Sequence, residues 1–379
     1  MKILFSAESF GYGPIITGLN IVKELKKYND INIDFIGSGV ALEQAKMTDY
    51  FENFIECDTF DLEELEKNKK LILSYNSLIS SENMNGAIFA IRNRMNKIYY
   101  IDNLMWMWDK LPKELNKVNK YFISEIIPSK YNFSRIGKEI ENPVFVGALR
   151  NLNNYSTFDS KEKKQLIINI GGAESFLFDS KLIIKFYNIL LKLILNLNEI
   201  EQFEKIIVCG GYNIISNLKL DITNKNIILK SLSNDEYLKE MALSSHCIMA
   251  SGLGNFIETI GMKKNIMYLP AINYSQLLQL QYYVNQNFGF HTMNWEKFPF
   301  YKQVGSYLDE ELGVNLVINN VENFINGNYE DIVLDNVRKF LAEPQDKYFE
   351  NRKLYIDKMS KNSNEVVARI IIEDLKEGV

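Results

Sequence analysis

Short β-branched runs alternate with helical stretches along almost the whole chain, and the pattern occurs twice. Between residue 2 and about residue 149 the runs are "KILFSAES", "INIDFIGSG", "LILSYN", "KIYYID", "KYFISE" and "PVFVGA". A polar stretch without apolar periodicity follows, Asn151 to Lys164. The alternation then restarts with "QLIINIGG", "KIIVCGG", "NIILKSL", "HCIMASG" and "NIMYLPA". Runs this apolar suit strands buried on both faces, and strands separated by helices of roughly 10–15 residues pair in parallel.

The pattern predicts an α/β protein of two Rossmann-like domains, residues 1–150 and 165–335, with a cleft between them and a linker at 151–164. A length of 379 residues is enough for two cores. From about Asn336 the chain is helical and charged, and Pro344 marks a break between two helices. This tail, 336–379, is expected to be C-terminal helices packing back on the N-terminal domain.

Composition removes several classes of function. A net charge of −5 argues against nucleic acid as a partner. Cys57, Cys209 and Cys247 lie far apart and have no Cys or His at ligand spacing, so neither a disulfide framework nor structural zinc is expected. The greasiest segment, Leu182 to Leu197, is interrupted by Lys185 and Lys192 and reads as a packed helix, not a membrane span. The opening "MKILFSAES" has a strand pattern and not that of a signal peptide, which predicts a cytoplasmic protein. No cofactor is expected, and the oligomeric state stays open.

Four strand ends in the second half finish in small residues: "NIGGAES" at 169–175, "VCGGYN" at 208–213, "KSLSN" at 230–234, and "MASGLGN" from Met249. Ligands of parallel sheets sit beyond the carboxyl ends of the strands. Glycine there lets a bulky group reach the backbone, and the next helix offers its leading N–H groups to an anion. Tight turns alone are the other account. Four in register favour a ligand, and a diphosphate fits without a metal. Glu258, one turn into the following helix, is placed to accept hydrogen bonds from a ribose diol.

The run Ser251-Gly-Leu-Gly-Asn-Phe-Ile-Glu258 resembles the nucleotide-binding signature of GT-B glycosyltransferases, in particular SGAxTxxE of the peptidoglycan N-acetylglucosaminyltransferase and UDP-glycosyltransferase-like group. "GMKKNIMYLPAINYSQLLQ" follows as that family's next strand, loop and helix would. The resemblance implies a donor diphosphate held at Gly171, Gly172, Ser251, Gly252, Leu253, Gly254 and Asn255, and a ribose on Glu258. It places the nucleotide base against the loop at Ser231 and Leu232. The donor sugar falls near Gln276 and Gln279, with Ser275 where the family often has Asp.

"SFGYGPIITGLNIVKEL" (9–25) resembles the family's first strand-to-helix loop, with Gly13, Gly18, Leu19 and Leu25 in register. This puts Gly11, Tyr12 and Gly13 on the acceptor side. The family's His falls on Pro14, which accepts no proton. The chain has two histidines: His246 reads as a packed core residue, and His291 as a solvated loop residue that could approach the cleft. The remaining candidates for a general base are Asp102, Asp109 and Glu8, each of which is otherwise a cap or turn acid. Trp106 and Trp108 form either an aromatic platform for the acceptor or ordinary core packing.

The resulting expectation is a metal-independent hexosyltransferase acting on a nucleotide-diphospho-sugar, a UDP-sugar by resemblance, and inverting if the base is a carboxylate. A nucleotide-sugar epimerase of the same fold and a non-catalytic nucleotide-sugar-binding partner protein are the alternatives.

Overall fold

The computed structural model describes residues 1–150, 163–220, 226–260, 264–344, 348–359 and 362–377. They form two compact units, Met1–Leu152 with Met359–Val379, and Asn153–Lys358.

The first unit carries strands β1 (Lys2–Ala7), β2 (Asn32–Gly37), β3 (Phe54–Glu56), β4 (Ser77–Ser81), β5 (Lys97–Asp102), β6 (Lys120–Ser124) and β7 (Pro143–Val146). Between them run helices α1 (Gly13–Leu25), α2 (Gly39–Lys46), α3 (Leu62–Ile72), α4 (Met84–Arg92) and α5 (Lys130–Ile136). The strands are all parallel, in the order β3-β2-β1-β4-β5-β6-β7. Helix α1 presses close on the sheet at Gly18, where a Cβ would stand 2.0 Å from the Phe5 ring.

The second unit repeats the plan. Strands β8 (Lys163–Asn169), β9 (Lys205–Cys209), β10 (Ile227–Lys230), β11 (Ser244–Met249), β12 (Asn265–Tyr268) and β13 (His291–Thr292) lie parallel in the order β10-β9-β8-β11-β12-β13. Its helices are α6 (Ser180–Leu195), α7 (Tyr212–Asn217), α8 (Asn234–Leu243), α9 (Leu253–Ile260), α10 (Tyr274–Asn285), α11 (Glu310–Asn326), α12 (Glu330–Ala342) and α13 (Phe349–Asp357). A last helix, α14 (Ser363–Glu377), belongs to the first unit.

Helix α6 buries Ile183, Phe186, Tyr187, Leu190, Leu191 and Ile194, spaced three and four apart, and turns its lysines outward. Among the described residues no helix is long and apolar enough to cross a membrane.

Three readings of the sequence shift. "LILSYN" is not a strand: Leu71 and Ile72 end α3, and the strand is the serine-rich "SLISS" that follows. The linker expected at 151–164 lies outside the described residues except for Lys163 and Lys164, which open β8. The tail also divides differently. Asn336 is interior to α12; α12 and α13 stay with the second unit, and α14 packs on α1.

Candidate functional site

In the second sheet the strand order reverses between β8 and β11, which pair up to Asn169 opposite Met249. A crevice opens beyond the carboxyl ends of a parallel sheet at such a reversal, because the two connections leave toward opposite faces. Both glycine turns singled out in the sequence leave the sheet here. Gly171 takes φ +70°, a conformation that favours glycine, and a Cβ on it would lie 3.6 Å from the Ala250 side chain. At Gly252 a Cβ would meet no atom within 4 Å, so the space above that backbone is open. The first intrahelical bond of α9 runs from Phe256 N–H to the Gly252 carbonyl, and the amides of Leu253, Gly254 and Asn255 precede it.

A small amide network fixes the two turns to each other. Asn169 Oδ1 accepts from Gly171 N–H at 2.8 Å, and its Nδ2 donates to Asn255 Oδ1 at 3.1 Å. The Tyr237 hydroxyl donates to the same Asn255 oxygen at 2.8 Å, while Asn255 Nδ2 donates to the Ala250 carbonyl at 2.8 Å. The Asn255 side chain is therefore spent inside the protein, and only its backbone faces the turn. A third strand end joins in: Gly211 N–H donates to the Gly171 carbonyl at 2.9 Å.

Glu258 is 4% exposed, deeper than a surface acid. Burial, and next the Glu258 charge, push the Tyr237 phenol well above its ordinary range, so Tyr237 stays a neutral donor. Ser251 is fully buried; its hydroxyl donates to the Gln276 carbonyl at 3.2 Å, and Tyr283 donates to the Ser251 carbonyl at 3.4 Å. These contacts place one side of α10 against the start of α9.

Along α10, Gln276 Oε1 is taken by Ile272 N–H and the Ser275 hydroxyl by Asn273. Gln279 differs. It is 3% exposed and its Oε1 has no hydrogen-bond partner among the described residues, which is costly unless a ligand supplies a donor. Ser231 and Leu232 follow β10 at the same edge of the sheet, with Leu232 buried and Ser233 capping α8 in a capping box with Glu236.

In the first unit the order reverses between β1 and β4. Glu8 closes β1, 8% exposed, with Oε1 accepting from Ser9 N–H at 3.0 Å. Gly11, at φ +65°, and Gly13 both have open space where a Cβ would stand; Tyr12 is half-buried between them, and Pro14 is buried in the first turn of α1.

Asp102 is more enclosed than a catalytic base requires. It is 0% exposed and accepts from Leu104 N–H at 2.6 Å, from Tyr121 Oη at 2.8 Å, and from the Trp108 indole at 3.2 Å. Burial raises its carboxyl to about 6 against the pull of those donors. Asp102 thus holds the 103–108 loop closed and leaves no oxygen facing solvent. Trp106 is 9% exposed and donates to the Asn103 carbonyl, and the Trp108 indole is turned to Asp102. Both indoles anchor the loop from within. Asp109 is half-buried, its carbonyl held by Arg135.

The histidines stand apart from both reversal points. His246 is the third residue of β11, between the rings of Phe203 and Phe340. His291 opens β13 beside Phe340, with Nε2 3.6 Å from the Glu343 carboxylate, and burial lowers its pKa.

Four residues at the reversal points were not singled out in the sequence. Asn169 and Tyr237 fix the glycine turns. In the first unit Glu82, at φ +57°, directly follows β4, and Asn103 donates to it and to Thr17 Oγ1. Asn103 is 5% exposed, with Oδ1 unpartnered among the described residues. Only Asn169 had a local signal, an Asx turn two residues before a glycine.

No protein-family model and no curated protein sequence matches the chain. Solved structures do match it in architecture. A spinosyn rhamnosyltransferase complexed with spinosyn aglycone aligns over 98% of this chain and 100% of its own, with TM-score 0.57 and 8% identity. MurG of Acinetobacter baumannii aligns over the same shares with TM-score 0.50 and 9% identity. The fold is GT-B. A UDP-GlcNAc 2-epimerase from Neisseria meningitidis bound to UDP-GlcNAc matches the same GT-B architecture, at TM-score 0.50 and 12% identity over 98% of this chain and 100% of its own.

Proposed function

We infer that the chain is a GT-B glycosyltransferase that moves a sugar from a nucleotide-diphospho-sugar, a UDP-sugar, to an acceptor hydroxyl. The observation that carries the reading is the pairing of the Gly171–Gly172 turn with the Ser251–Asn255 helix start at the reversal point of the second sheet. Backbone amides and a helix N-terminus there can take the charge that develops on a leaving diphosphate without a metal. Glu258 would receive the ribose hydroxyls, the Ser231–Leu232 loop the nucleotide base, and Gln279, with its unsatisfied oxygen, a sugar hydroxyl. The acceptor would enter the first unit at Gly11–Gly13. With Asp102 enclosed, the base passes to the acids that close the strands flanking the first reversal point, Glu8 ahead of Glu82.

The second reading is a nucleotide-sugar-binding protein without turnover, favoured by Pro14 packed in α1 and by the enclosure of Asp102. Incubation of the pure protein with a panel of nucleotide sugars, with and without a strong chelator, separates the readings. Release of free nucleoside diphosphate that survives chelation supports the metal-independent transferase. Interconverted sugars point to an epimerase, and binding without turnover to the partner protein. Loss of binding on chelation, restored by magnesium or manganese, overturns the metal-independent mechanism.

A further inference from the structure

On the far side of α10 lies a cavity of about 290 Å³, lined by side chains that suit a sugar and that the nucleotide site does not use. Gln276 and Tyr283 share the side of α10 that meets Ser251. Tyr274, Gln281 and Asn285 lie roughly 140–180° around the helix from Gln276. They face the loop after β13, where the Tyr274 hydroxyl donates to the Gly305 carbonyl at 2.8 Å. Gln281, Asn285, Asn294 and Gln303 line the space with four primary amides, and Glu296 adds one carboxylate. The floor is Asn294, 8% exposed; the rim residues Asn285, Glu296 and Gln303 are exposed.

Asn294 orients the one carboxylate of the site. Its Nδ2 donates to Glu296 Oε2 at 3.0 Å, which fixes the orientation of the amide, since the flipped form would set an oxygen against the carboxylate. Its Oδ1 is then a buried acceptor with no partner among the described residues. Four amides, each with both donors and acceptors, against a single carboxylate suit vicinal hydroxyls better than charge. Val284, 49% exposed on the lining, and Tyr307, 38% exposed next to Ser306 of the lining, add apolar surface for the C–H face of a pyranose. The volume fits one ring, at the small end of ligand pockets.

We propose that this cavity binds one uncharged pyranose residue, as an accessory carbohydrate site on the second unit. Glu296, held in place by Asn294, accepts from adjacent hydroxyls, and the amides of Gln303 and Asn285 donate to the ring or a further oxygen. The site stands independently of nucleotide binding and of transfer.

Saturation-transfer NMR on the full chain with D-glucose, D-galactose and N-acetyl-D-glucosamine, paired with an oligosaccharide array, tests this. At least one ligand should bind, a free monosaccharide with Kd on the order of 1 mM. The exposed double change Glu296→Gln with Gln303→Ala, which puts no core packing at risk, should weaken binding about tenfold or more. Asn294→Leu should do the same, and UDP affinity should stay unchanged in both. Binding to free sugars marks a soluble-sugar site, and binding to array glycans alone marks a chain-end site; either supports the proposal. It is overturned if no sugar or glycan binds, if binding is untouched by both variants, or if calcium or ammonium occupies the site in place of sugar.

Discussion

At the scale of single residues, what could be read from the sequence was whatever is carried by identity alone. Glycine announces a backbone that must bend or be approached; Gly171 uses that freedom at φ +70°, and Gly252 has open space where a Cβ would stand. Asp102 shows the limit. Its place at the end of β5 was legible, but its enclosure depends on Tyr121, nineteen positions along the chain, and on an indole folded back over it. Its raised carboxyl gives a test with a definite sign. The pKa is about 6 folded against 3.8 as the ordinary value, so below pH 4 the group is protonated in both states. Between pH 4 and 6 the unfolded chain ionises first, and stability is lost as pH rises through the folded pKa. The loss is about 3 kcal/mol, complete above that pKa. Asp102→Asn should remove this component. Urea unfolding followed by Trp106 and Trp108 fluorescence, in a Trp295→Phe background, should show the wild-type advantage over the variant shrinking between pH 4 and 7. A difference that stays flat would mean the carboxylate ionises alike in both states.

Glu258 is the converse case, a residue whose place inside a helix was legible and whose burial was not. Because it is 4% exposed, Glu258→Gln is the fair substitution: it keeps the volume and removes the charge. Losing charge-assisted hydrogen bonds to a ribose should cost ~1.5–3 kcal/mol, or roughly tenfold to a hundredfold in UDP affinity. Titration calorimetry on the folded variant reads this directly, and unchanged affinity would take Glu258 out of the site.

At the scale of elements, the buried strands were legible because two covered faces demand continuous apolar sequence. Where that demand is relaxed, the reading slipped. β4 carries Ser77, Ser80 and Ser81, all fully buried and hidden from a hydropathy pattern, whereas the apolar run just before it completes α3. The edge strands β3 and β13 are three and two residues long, too short to show a period. The junction of β8, β9 and β11 offers a paired experiment on the glycine turns. At Gly211 a Cβ would stand 2.4 Å from the Gly172 carbonyl oxygen, a backbone atom that cannot swing aside. Gly211→Ala should therefore cost about 1–3 kcal/mol in stability and weaken UDP as the Gly171–Gly172 turn moves. Gly252→Ala meets nothing in the protein, so its melting temperature should match wild type while UDP affinity still falls. Equal affinity in Gly252→Ala and wild type would mean the open space above that turn is not where the nucleotide lies.

At the scale of the whole molecule, the two-fold recurrence of strand and helix was plain in the sequence, and so was a tail returning to the first unit, but not where that tail begins, since an amphipathic helix does not name the face it will cover. α14 belongs to the first unit although some two hundred residues separate it from β7. It buries Val367, Ala368, Ile371, Ile372 and Leu375 in one core with Ile3, Phe5 and Leu19. Asp374 adds a polar lock, accepting from Tyr99 Oη at 2.7 Å and pairing with Lys97 at 3.0 Å, and these partners hold its carboxyl below its ordinary value despite partial burial. Burying a large aliphatic side chain is worth about 1.5–3 kcal/mol, so removing four of them and an alanine takes away an amount comparable with the whole stability of a domain. The second unit loses nothing from its own span, Asn153–Lys358. A chain ended after Lys358 should then lose the first unit alone. Hydrogen exchange should run fast through β1, β4 and β5 and stay protected in β8 and β11, and UDP should still bind to the truncated protein within a few-fold of wild type. Protection kept in β1 would show that α14 is dispensable to that core, and loss of UDP binding would show that the nucleotide site needs more than the second unit.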